Sequence, residues 1–143
     1  MRLVVAGALV DDLAAPRHLL AARRSAPPAL AGRWELAGGK VEEGEGPVQA
    51  LHRELAEELG VRVRLGAEVE HPDGAWPLTP ALRMRVWWAV VVAGTPAPLQ
   101  DHDELRWLER GTWAGLDWLP GDVPLVARLE HLAAGTTSAP RPE

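Results

Sequence analysis

The segment from Gly38 to Val61 constrains the fold of this chain more than any other, because it reads GGKVEEGEGPVQALHRELAEELGV. Pro47 suits the first position of a helix, and Gly60 suits the position just past its end. Between them apolar residues recur every three or four positions, at Val48, Leu51, Leu55 and Leu59. The segment therefore predicts an amphipathic helix that packs on a core and follows a loop of glycines and glutamates at residues 38–46.

Three carboxylates, Glu54, Glu57 and Glu58, lie on this predicted helix beside its apolar stripe. At about 100° per residue they share one sector roughly 100° wide, and their repulsion costs the helix roughly 0.2–0.5 kcal/mol per pair. Arg53 can offset part of that cost by pairing with Glu57. Clustered carboxylate oxygens suit Mg²⁺ or Mn²⁺, which can bridge substrate phosphates. On its own the pattern is more typical of an ordinary surface helix with salt bridges.

The loop and the helix together resemble the signature of the Nudix hydrolases, G-x5-E-x7-R-E-U-x-E-E-x-G-U, where U is aliphatic. Every fixed position is met at the required spacing by nine residues that we call the Nudix box, namely Gly39, Glu45, Arg53, Glu54, Leu55, Glu57, Glu58, Gly60 and Val61. The resemblance implies an α/β fold, specifically an α/β/α sandwich in which helices flank a mixed β-sheet.

The resemblance also implies a metal site and a reaction. Glu57 and Glu58 would be the main ligands of Mg²⁺, for which Mn²⁺ could substitute. Glu54 would be a further ligand or the group that activates water, and the backbone carbonyl of Gly38 would complete the metal shell. The implied reaction is hydrolysis of a nucleoside triphosphate to the monophosphate and pyrophosphate, by attack of water on an inner phosphorus.

Resemblance to the MutT-type branch of the family adds further candidates. The Nudix signature itself implies that Arg53 would pair with Glu45 and hold the loop against the helix. Lys40 would place its ammonium group near the phosphates, with a solvated loop lysine as the alternative. Arg24 stands where that branch carries an arginine toward the nucleotide, although a surface arginine at a strand end fits nearly as well. Many relatives have proline where this chain has Ala37, and its loss should loosen the loop.

Stretches outside the box, among them AARRS, RWELAGGK and DHDELRW, resemble the bacterial cytidine-nucleotide pyrophosphohydrolases of that branch. There an aspartate at the start of the last helix reads the base, and Asp122 matches it; a plain helix cap is the alternative. Arg83, on a strand facing the expected cleft, is a weaker candidate for substrate contact. Asp101 or Glu104 could supply an auxiliary base or metal ligand, unless their segment is only a polar hairpin loop.

The resemblance predicts CTP, dCTP or 5-methyl-dCTP as the substrate, with 8-oxo-dGTP as the alternative. The classical 8-oxo-dGTP enzymes read the base with an asparagine, and this chain contains no asparagine. Pro77 fits a position at which ADP-ribose hydrolases carry proline, but thirteen prolines make that match weak. A nucleotide-sensing domain without activity is a further alternative, although every box glutamate is present.

The remainder of the chain predicts strands and one more helix, which is typical of a mixed sheet flanked by helices. We expect strands at residues 3–10, 18–24 (beside the first), 61–65, 82–92 (central) and 105–108, a short segment at 33–37, loops at 71–80 and 95–104, and a helix at 121–134. The sequence thus predicts one domain, residues 1–134, and a disordered tail, residues 135–143.

Composition narrows the class of protein. The absence of cysteine excludes disulfides, thiolate zinc sites and a cysteine nucleophile. A net charge of −5 argues against broad electrostatic binding of a nucleic acid polymer. The apolar start is short and is closed by Asp11 and Asp12, unlike a signal peptide, and no run is long enough to span a membrane. We expect a cytoplasmic enzyme, a monomer or homodimer, that acts on a small nucleotide.

Overall fold

The computed structural model describes residues 2–135, which form eight strands and two α-helices. In chain order these are β1 (Arg2–Leu9), β2 (His18–Arg24), β3 (Trp34–Glu35), β4 (Gly38–Lys40), α1 (Pro47–Leu59), β5 (Arg62–Val69), β6 (Trp76–Thr79), β7 (Leu82–Ala93), β8 (His102–Glu109) and α2 (Val123–Gly135). Two short 3-10 turns, Trp113–Gly115 and Pro120–Asp122, lie between β8 and α2. No helix in this part of the chain is long and apolar enough to cross a membrane.

The main sheet is mixed and has five strands in the order β4-β1-β7-β5, with β6 also paired to β7. Strands β1 and β7 run parallel, in a register that places Val4 beside Met84 and Ala8 beside Trp88. The other pairs are antiparallel. The central position predicted for residues 82–92 is confirmed, since β7 has three partners.

Strand β6 was not predicted, because its segment contains Pro77 between residues that favour a loop. A short strand beside a single partner tolerates proline, which cannot donate to a full ladder. Trp76 fixes the strand by burying its indole and donating from Nε1 to Val69 O at 2.9 Å. The local sequence does not reveal this contact with Val69, which helps to hold residues 76–79 in an extended strand.

A second sheet, antiparallel and of three strands, has the order β3-β2-β8. The prediction that residues 18–24 lie beside the first strand is wrong: β2 pairs with β3 and β8, while Val10 and Leu19 form only an isolated bridge. Apolar patterning predicts that a strand exists but not which strand it pairs with. Strand β8 begins at His102, earlier than expected, because its polar first residues resemble a loop.

Two helices cover opposite faces of the main sheet, which confirms the predicted α/β/α arrangement. Alternate residues of β1 point to opposite faces: Val5 and Leu9 pack in the cluster under α1, whereas Ala6 and Ala8 pack in the cluster that α2 covers. The strand is therefore buried on both faces, as its continuous apolar sequence predicted.

Helix α1 has the ends that the sequence predicted. Pro47 is the first helical residue, and Gly60 takes a left-handed conformation with φ 72° just past the last turn. The buried face consists of Ala50, Leu51, Leu55 and Leu59, and complete burial of each leucine stabilises the fold by roughly 1.5–3 kcal/mol. The assignment of Val48 to this face is wrong, since 44% of it is exposed and Ala50 takes its place.

Helix α2 begins at Val123, directly after the 3-10 turn that holds Asp122. Its buried face is formed by Leu125, Val126, Leu129 and Ala133. The tail was predicted to start at Gly135, which instead is the last residue of this helix. The remainder of the predicted tail, residues 136–143, lies outside the described residues.

Candidate active site

An ion pair between Glu45 and Arg53 fixes the loop that precedes α1. Arg53 Nε donates to Glu45 Oε2 at 2.6 Å, and its Nη2 donates to Glu45 Oε1 at 3.0 Å. The same Nη2 donates to Lys40 O at 3.1 Å, which ties β4 to the helix. The hydrogen bonds from Arg53, together with one from Glu42 N, hold the pKa of Glu45 below its usual value. The predicted pairing is thus present, with the fork geometry that favours arginine.

Arg53 also reaches the carboxylates of its own helix. Its Nη1 lies 3.2 Å from Glu54 Oε2 and 3.2 Å from Glu57 Oε1, so the predicted pairing four residues apart is present as well. Glu54 is mostly buried, with a side chain 14% exposed, whereas that of Glu57 is 45% exposed. One guanidinium group thus offsets the repulsion among box carboxylates that the sequence predicted.

Glu58 lies deeper and has no such cation. Its Oε1 accepts a hydrogen bond from Gly38 N at 3.0 Å. Burial, reinforced by the charges of Glu35 and Glu54, raises the pKa of Glu58 to about 7, even though the bond from Gly38 and the nearby His102 act in the opposite direction. Burial likewise raises the pKa of Glu54. These two carboxylates are the ones that a bound cation would stabilise most.

Glycines at 38 and 39 allow β4 to pass between β1 and the box helix. A Cβ atom at Gly38 would collide with the backbone oxygen of Val5, and one at Gly39 would collide with the carboxylate of Glu54. A side chain at position 38 would therefore force the backbone to move, whereas one at position 39 would displace the Glu54 carboxylate. The sequence places glycine here because the main chain must approach a carboxylate closely.

The chemistry of the box carboxylates fits a divalent cation. Every candidate donor is a hard oxygen, which Mg²⁺ and Mn²⁺ prefer, and two of the carboxylates, Glu54 and Glu58, are partly buried with raised pKa values. Within residues 2–135, no three acidic or histidine side chains already converge as a ligand set, since Glu54 and Glu57 face Arg53 while Glu58 faces Gly38. The assignment of these three glutamates and the Gly38 carbonyl as ligands stays a prediction.

A cavity of about 400 Å³ lies beside the box and has the size of a small-molecule site. It is lined by backbone and side chains from both sheets and from the turn before α2, among them Ala6, Arg24, Leu30, Glu35, Leu36, Gly38, Gly39, Lys40, Leu78, Met84, Leu119 and Asp122. The structure thus brings three predicted substrate residues, Arg24, Lys40 and Asp122, to one cavity. A larger cavity, about 660 Å³, lies around Trp107 and Glu130 and contains no box residue.

Asp122 is the buried acid of this cavity, with only 5% of the residue exposed. Its Oδ2 accepts a hydrogen bond from Leu36 N at 3.4 Å, in the connection between β3 and β4. Burial, reinforced by the charge of Glu35, raises the pKa of Asp122 to about 8. Its carboxyl is consequently protonated at pH 7 and can both donate and accept a hydrogen bond.

Two residues that the sequence analysis missed, Glu35 and His102, join the box to this cavity. Glu35 Oε2 lies 2.8 Å from His102 Nε2 and accepts a hydrogen bond from Arg24 Nη1 at 2.9 Å. Burial disfavours the charged form of His102, but the hydrogen bond to Glu35 and the charges of Glu58 and Glu35 raise its pKa overall. The only sequence signal for Glu35 is its place three residues before the glycine pair.

Three other predicted residues do not line the cavity. Arg83 alternates with Leu82 and Met84, which do line it, so its side chain lies on the opposite face of β7. Asp101 is exposed, and Glu104 pairs with Arg23 and Arg106 at 3.3 and 3.1 Å. The substrate role of Arg83 and the auxiliary roles of Asp101 and Glu104 therefore gain no support from the structure.

Comparisons with known proteins extend over most of the chain. The family model of the NUDIX domain matches residues 1–130. A protein of Mycobacterium tuberculosis provisionally named 8-oxo-dGTP diphosphatase 2 is 37% identical over 137 residues, which are 96% of this chain and 94% of that protein. The CTP pyrophosphohydrolase of Escherichia coli K12 is 34% identical over 116 residues, which are 81% of this chain and 84% of that protein. The solution structure of the E. coli ORF135 protein is similar with a TM-score of 0.71 and 30% identity, covering 97% of this chain and 95% of that chain.

Proposed function

The chain belongs to the NUDIX family and is a hydrolase of the MutT type, and from that premise we propose that it hydrolyses cytidine triphosphates to the monophosphate and pyrophosphate. CTP, dCTP and 5-methyl-dCTP are the proposed substrates. The observation that carries the proposal is the position of Asp122, a buried acid that shares one cavity with Arg24 and Lys40 beside the box carboxylates.

The box supports hydrolysis of the phosphate chain. Mg²⁺, when bound by Glu54, Glu57, Glu58 and the Gly38 carbonyl, would neutralise phosphate charge and lower the pKa of water. Arg53 holds the helix and the loop in one arrangement, so the carboxylates keep their relative positions. Lys40 and Arg24 line the cavity, where their ammonium and guanidinium groups would attract the phosphates and orient the nucleotide.

The protonation of Asp122 supports a cytosine base. At pH 7 a protonated carboxyl presents one O–H donor and one carbonyl acceptor side by side. Cytosine presents the complementary pair, because its N3 accepts and its N4 amino group donates. The apolar lining from Leu30, Leu78 and Met84 would cover the faces of the base and exclude water from this contact.

A second candidate substrate is 8-oxo-dGTP, favoured by the M. tuberculosis relative that matches 96% of this chain. An oxidised guanine also carries adjacent donor and acceptor groups that a protonated Asp122 could bind. The chain contains no asparagine, however, and so has no counterpart of the residue that the classical enzymes use. We therefore place cytidine nucleotides first.

The deciding experiment is pyrophosphate release in the presence of Mg²⁺ from CTP, dCTP, 5-methyl-dCTP, dGTP, 8-oxo-dGTP and ADP-ribose, compared as kcat/KM. We expect the cytidine nucleotides to lead, and Glu57→Gln, as the control, to be inactive on all six. If 8-oxo-dGTP leads, the second candidate replaces the first. Activity with ADP-ribose alone would contradict the proposal and favour a different diphosphate substrate. Absence of wild-type activity on all six compounds would also contradict it, and would favour a different diphosphate substrate or a nucleotide-sensing role.

Asp122→Asn tests how the acid contacts the base. Asparagine keeps one donor and one acceptor but cannot ionise, so it imitates the protonated carboxyl. We expect the variant to retain KM for CTP within about threefold at pH 7, whereas Asp122→Leu should raise KM at least about tenfold. Equal losses in both variants would mean that Asp122 contacts the base as a carboxylate or not at all.

A further inference from the structure

We propose that His102 is a positioning residue for the substrate cavity: it holds Glu35, and through Glu35 it holds the guanidinium group of Arg24 against the cavity wall. The inference rests on the proposed function in one respect, namely that Arg24 contacts the nucleotide. His102 itself is not among the residues that line the cavity, so its effect on the substrate has to pass through its neighbours.

The contacts form a chain that ends at the cavity. His102 Nε2 lies 2.8 Å from Glu35 Oε2, and the same oxygen accepts from Arg24 Nη1 at 2.9 Å. Arg24 Nε donates to Ala26 O at 2.9 Å, so two of its five N–H groups are committed to fixed acceptors. Those two bonds set the plane of the guanidinium group and leave its other N–H groups for a ligand.

The complete burial of His102 is costly. Its side chain is 0% exposed, and its Nδ1 is buried without a hydrogen-bond partner among the described residues. A buried polar atom left unpaired is unfavourable, and an apolar side chain would avoid that penalty. The contact at Nε2 is therefore the feature that distinguishes histidine from a leucine at this position.

The backbone before His102 is also held in an unfavourable conformation. Gln100 and Asp101 have φ values of 33° and 44°, in the left-handed region that residues other than glycine rarely adopt. Asp101 O accepts from Ser25 N at 2.7 Å, and the register between β2 and β8 shifts at Arg24. This irregularity places the first residue of β8 directly beside Arg24, where its ring can reach Glu35. Conformational strain of this kind is concentrated at functional sites.

The chain offers a matched control at the other end of β2. His18 Nδ1 lies 3.0 Å from Asp11 Oδ2, which is also a contact between an imidazole and a carboxylate. Its side chain is 42% exposed, and it lines other cavities rather than the one beside the box. His18→Leu thus removes the same kind of contact at the far end of β2 without touching Arg24 or Glu35.

The test compares nucleotide hydrolysis by His102→Leu, His102→Gln and His18→Leu, using CTP and Mg²⁺. Glutamine can extend an amide N–H toward Glu35 in place of Nε2, whereas leucine cannot. We expect His102→Leu to raise KM about tenfold while kcat changes less than about threefold, His102→Gln to restore KM to near the wild-type value, and His18→Leu to change neither. A fall in kcat at constant KM, or equal losses in the leucine and glutamine variants, would overturn the proposal.

A double-mutant cycle tests whether His102 acts through Glu35. In the Glu35→Ala background, His102→Leu should have no further effect on KM. An undiminished effect in that background would mean that His102 acts by another route, which would overturn the inference.

A measurement without substrate separates this inference from the proposed function. In ¹⁵N spectra of the labelled protein, the Arg24 Nε–H signal should be protected from exchange in the wild type and in His102→Gln, and should exchange rapidly in His102→Leu. If the wild type hydrolyses none of the nucleotides but this pattern holds, the proposed function fails and the positioning role stands. Unchanged protection in His102→Leu overturns the positioning role whatever the activity.

Discussion

The acidic residues of this site fall into two regions with opposite electrostatics. In the outer region Glu45 faces the guanidinium group of Arg53, which lowers its pKa. In the inner region the partly buried Glu58 and the buried Asp122 have no comparable cation, and their pKa values rise to about 7 and about 8. The same type of side chain thus stabilises the fold in one region and is destabilising in the other. Residues retained at a cost to folding are those expected to contact a ligand.

The largest effect is expected for Glu58→Gln, which removes the inner charge but keeps an oxygen for the bond from Gly38 N. Loss of a metal ligand should lower kcat by about 10³-fold or more. Because its pKa is raised from 4.5 to about 7, Glu58 stabilises the fold fully below pH 4.5 and loses that contribution as pH rises through about 7. In the absence of metal, the variant should therefore be more stable than the wild type at pH 8, by up to about 3 kcal/mol.

Glu57→Gln is the matched variant on the exposed side of the same helix. It should lose turnover to a similar degree, but the melting temperature of the metal-free protein should not rise, since its side chain is 45% exposed. Steady-state kinetics and thermal unfolding in EDTA measure both quantities. A similar gain in stability in the two variants would show that burial does not distinguish the regions.

Arg53→Lys should have the next largest effect, because it disrupts the ion pair with Glu45 that organises the outer region. Lysine keeps the charge but cannot make the two-pronged contact with Glu45 or reach Lys40 O at the same time. We expect kcat to fall about tenfold or more, with a melting temperature lower by about 5 °C. Full activity in the lysine variant would show that charge alone, without the fork geometry, organises the box.

Asp122→Asn should stabilise the protein in a pH-dependent way. The pKa of Asp122 is raised from 3.8 to about 8, so its contribution to stability is complete below pH 3.8 and is lost as pH rises through about 8. Asparagine has no charge to bury, and we expect a gain of up to about 5 kcal/mol at pH 9 and none at pH 3.5. Urea unfolding of both proteins at pH 9 and at pH 3.5 measures the difference in the free energy of unfolding. A gain in stability of equal size at both pH values would mean that packing, not ionisation, is responsible.

Asp11→Asn should have the smallest effect and serves as an exposed reference. Burial acts against ionisation, but hydrogen bonds from the His18 ring, His18 N and Arg17 N together lower the pKa of Asp11 to about 2. Its stabilisation is therefore present above pH 3.8 and is lost as pH falls through about 2. Since the side chain is 37% exposed, we expect a loss below about 1 kcal/mol at pH 7, with kcat unchanged. A loss of turnover in Asp11→Asn would mean that the segment around Asp11 contributes to the active site, contrary to its position in the structure.

Local patterns predicted the parts of the molecule that local interactions form. Pro47, Gly60 and the spacing of the leucines between them were enough to define α1, and the pairing of Arg53 with Glu45 followed from the box. The strand at residues 82–92 could be placed at the centre of the sheet because its apolar run is long. In each case the deciding contacts lie close in sequence or follow from the burial of an apolar run.

Contacts between distant segments could not be predicted in this way. The partners of β2, the strand made around Trp76 and the early start of β8 depend on pairings that the periodicity of one segment does not encode. His102 was missed for the same reason: between Asp101 and Asp103 it looks like part of an exposed loop, and only the shift in register beside Arg24 turns it inward. Glu35 was missed because its partners come from β2 and β8.

The parallel pairing of β1 with β7 has a consequence for synthesis of the protein on the ribosome. Strand β1 emerges first, yet the neighbour that pairs along its whole length lies more than seventy residues further on, at Leu82–Ala93. A nascent chain that stops before β7 can form the local helix α1 but cannot complete the sheet beneath it. Until then the apolar residues of β1 are available to chaperones and to other nascent chains. Folding of this enzyme is therefore largely a late event, which follows translation of its seventh strand.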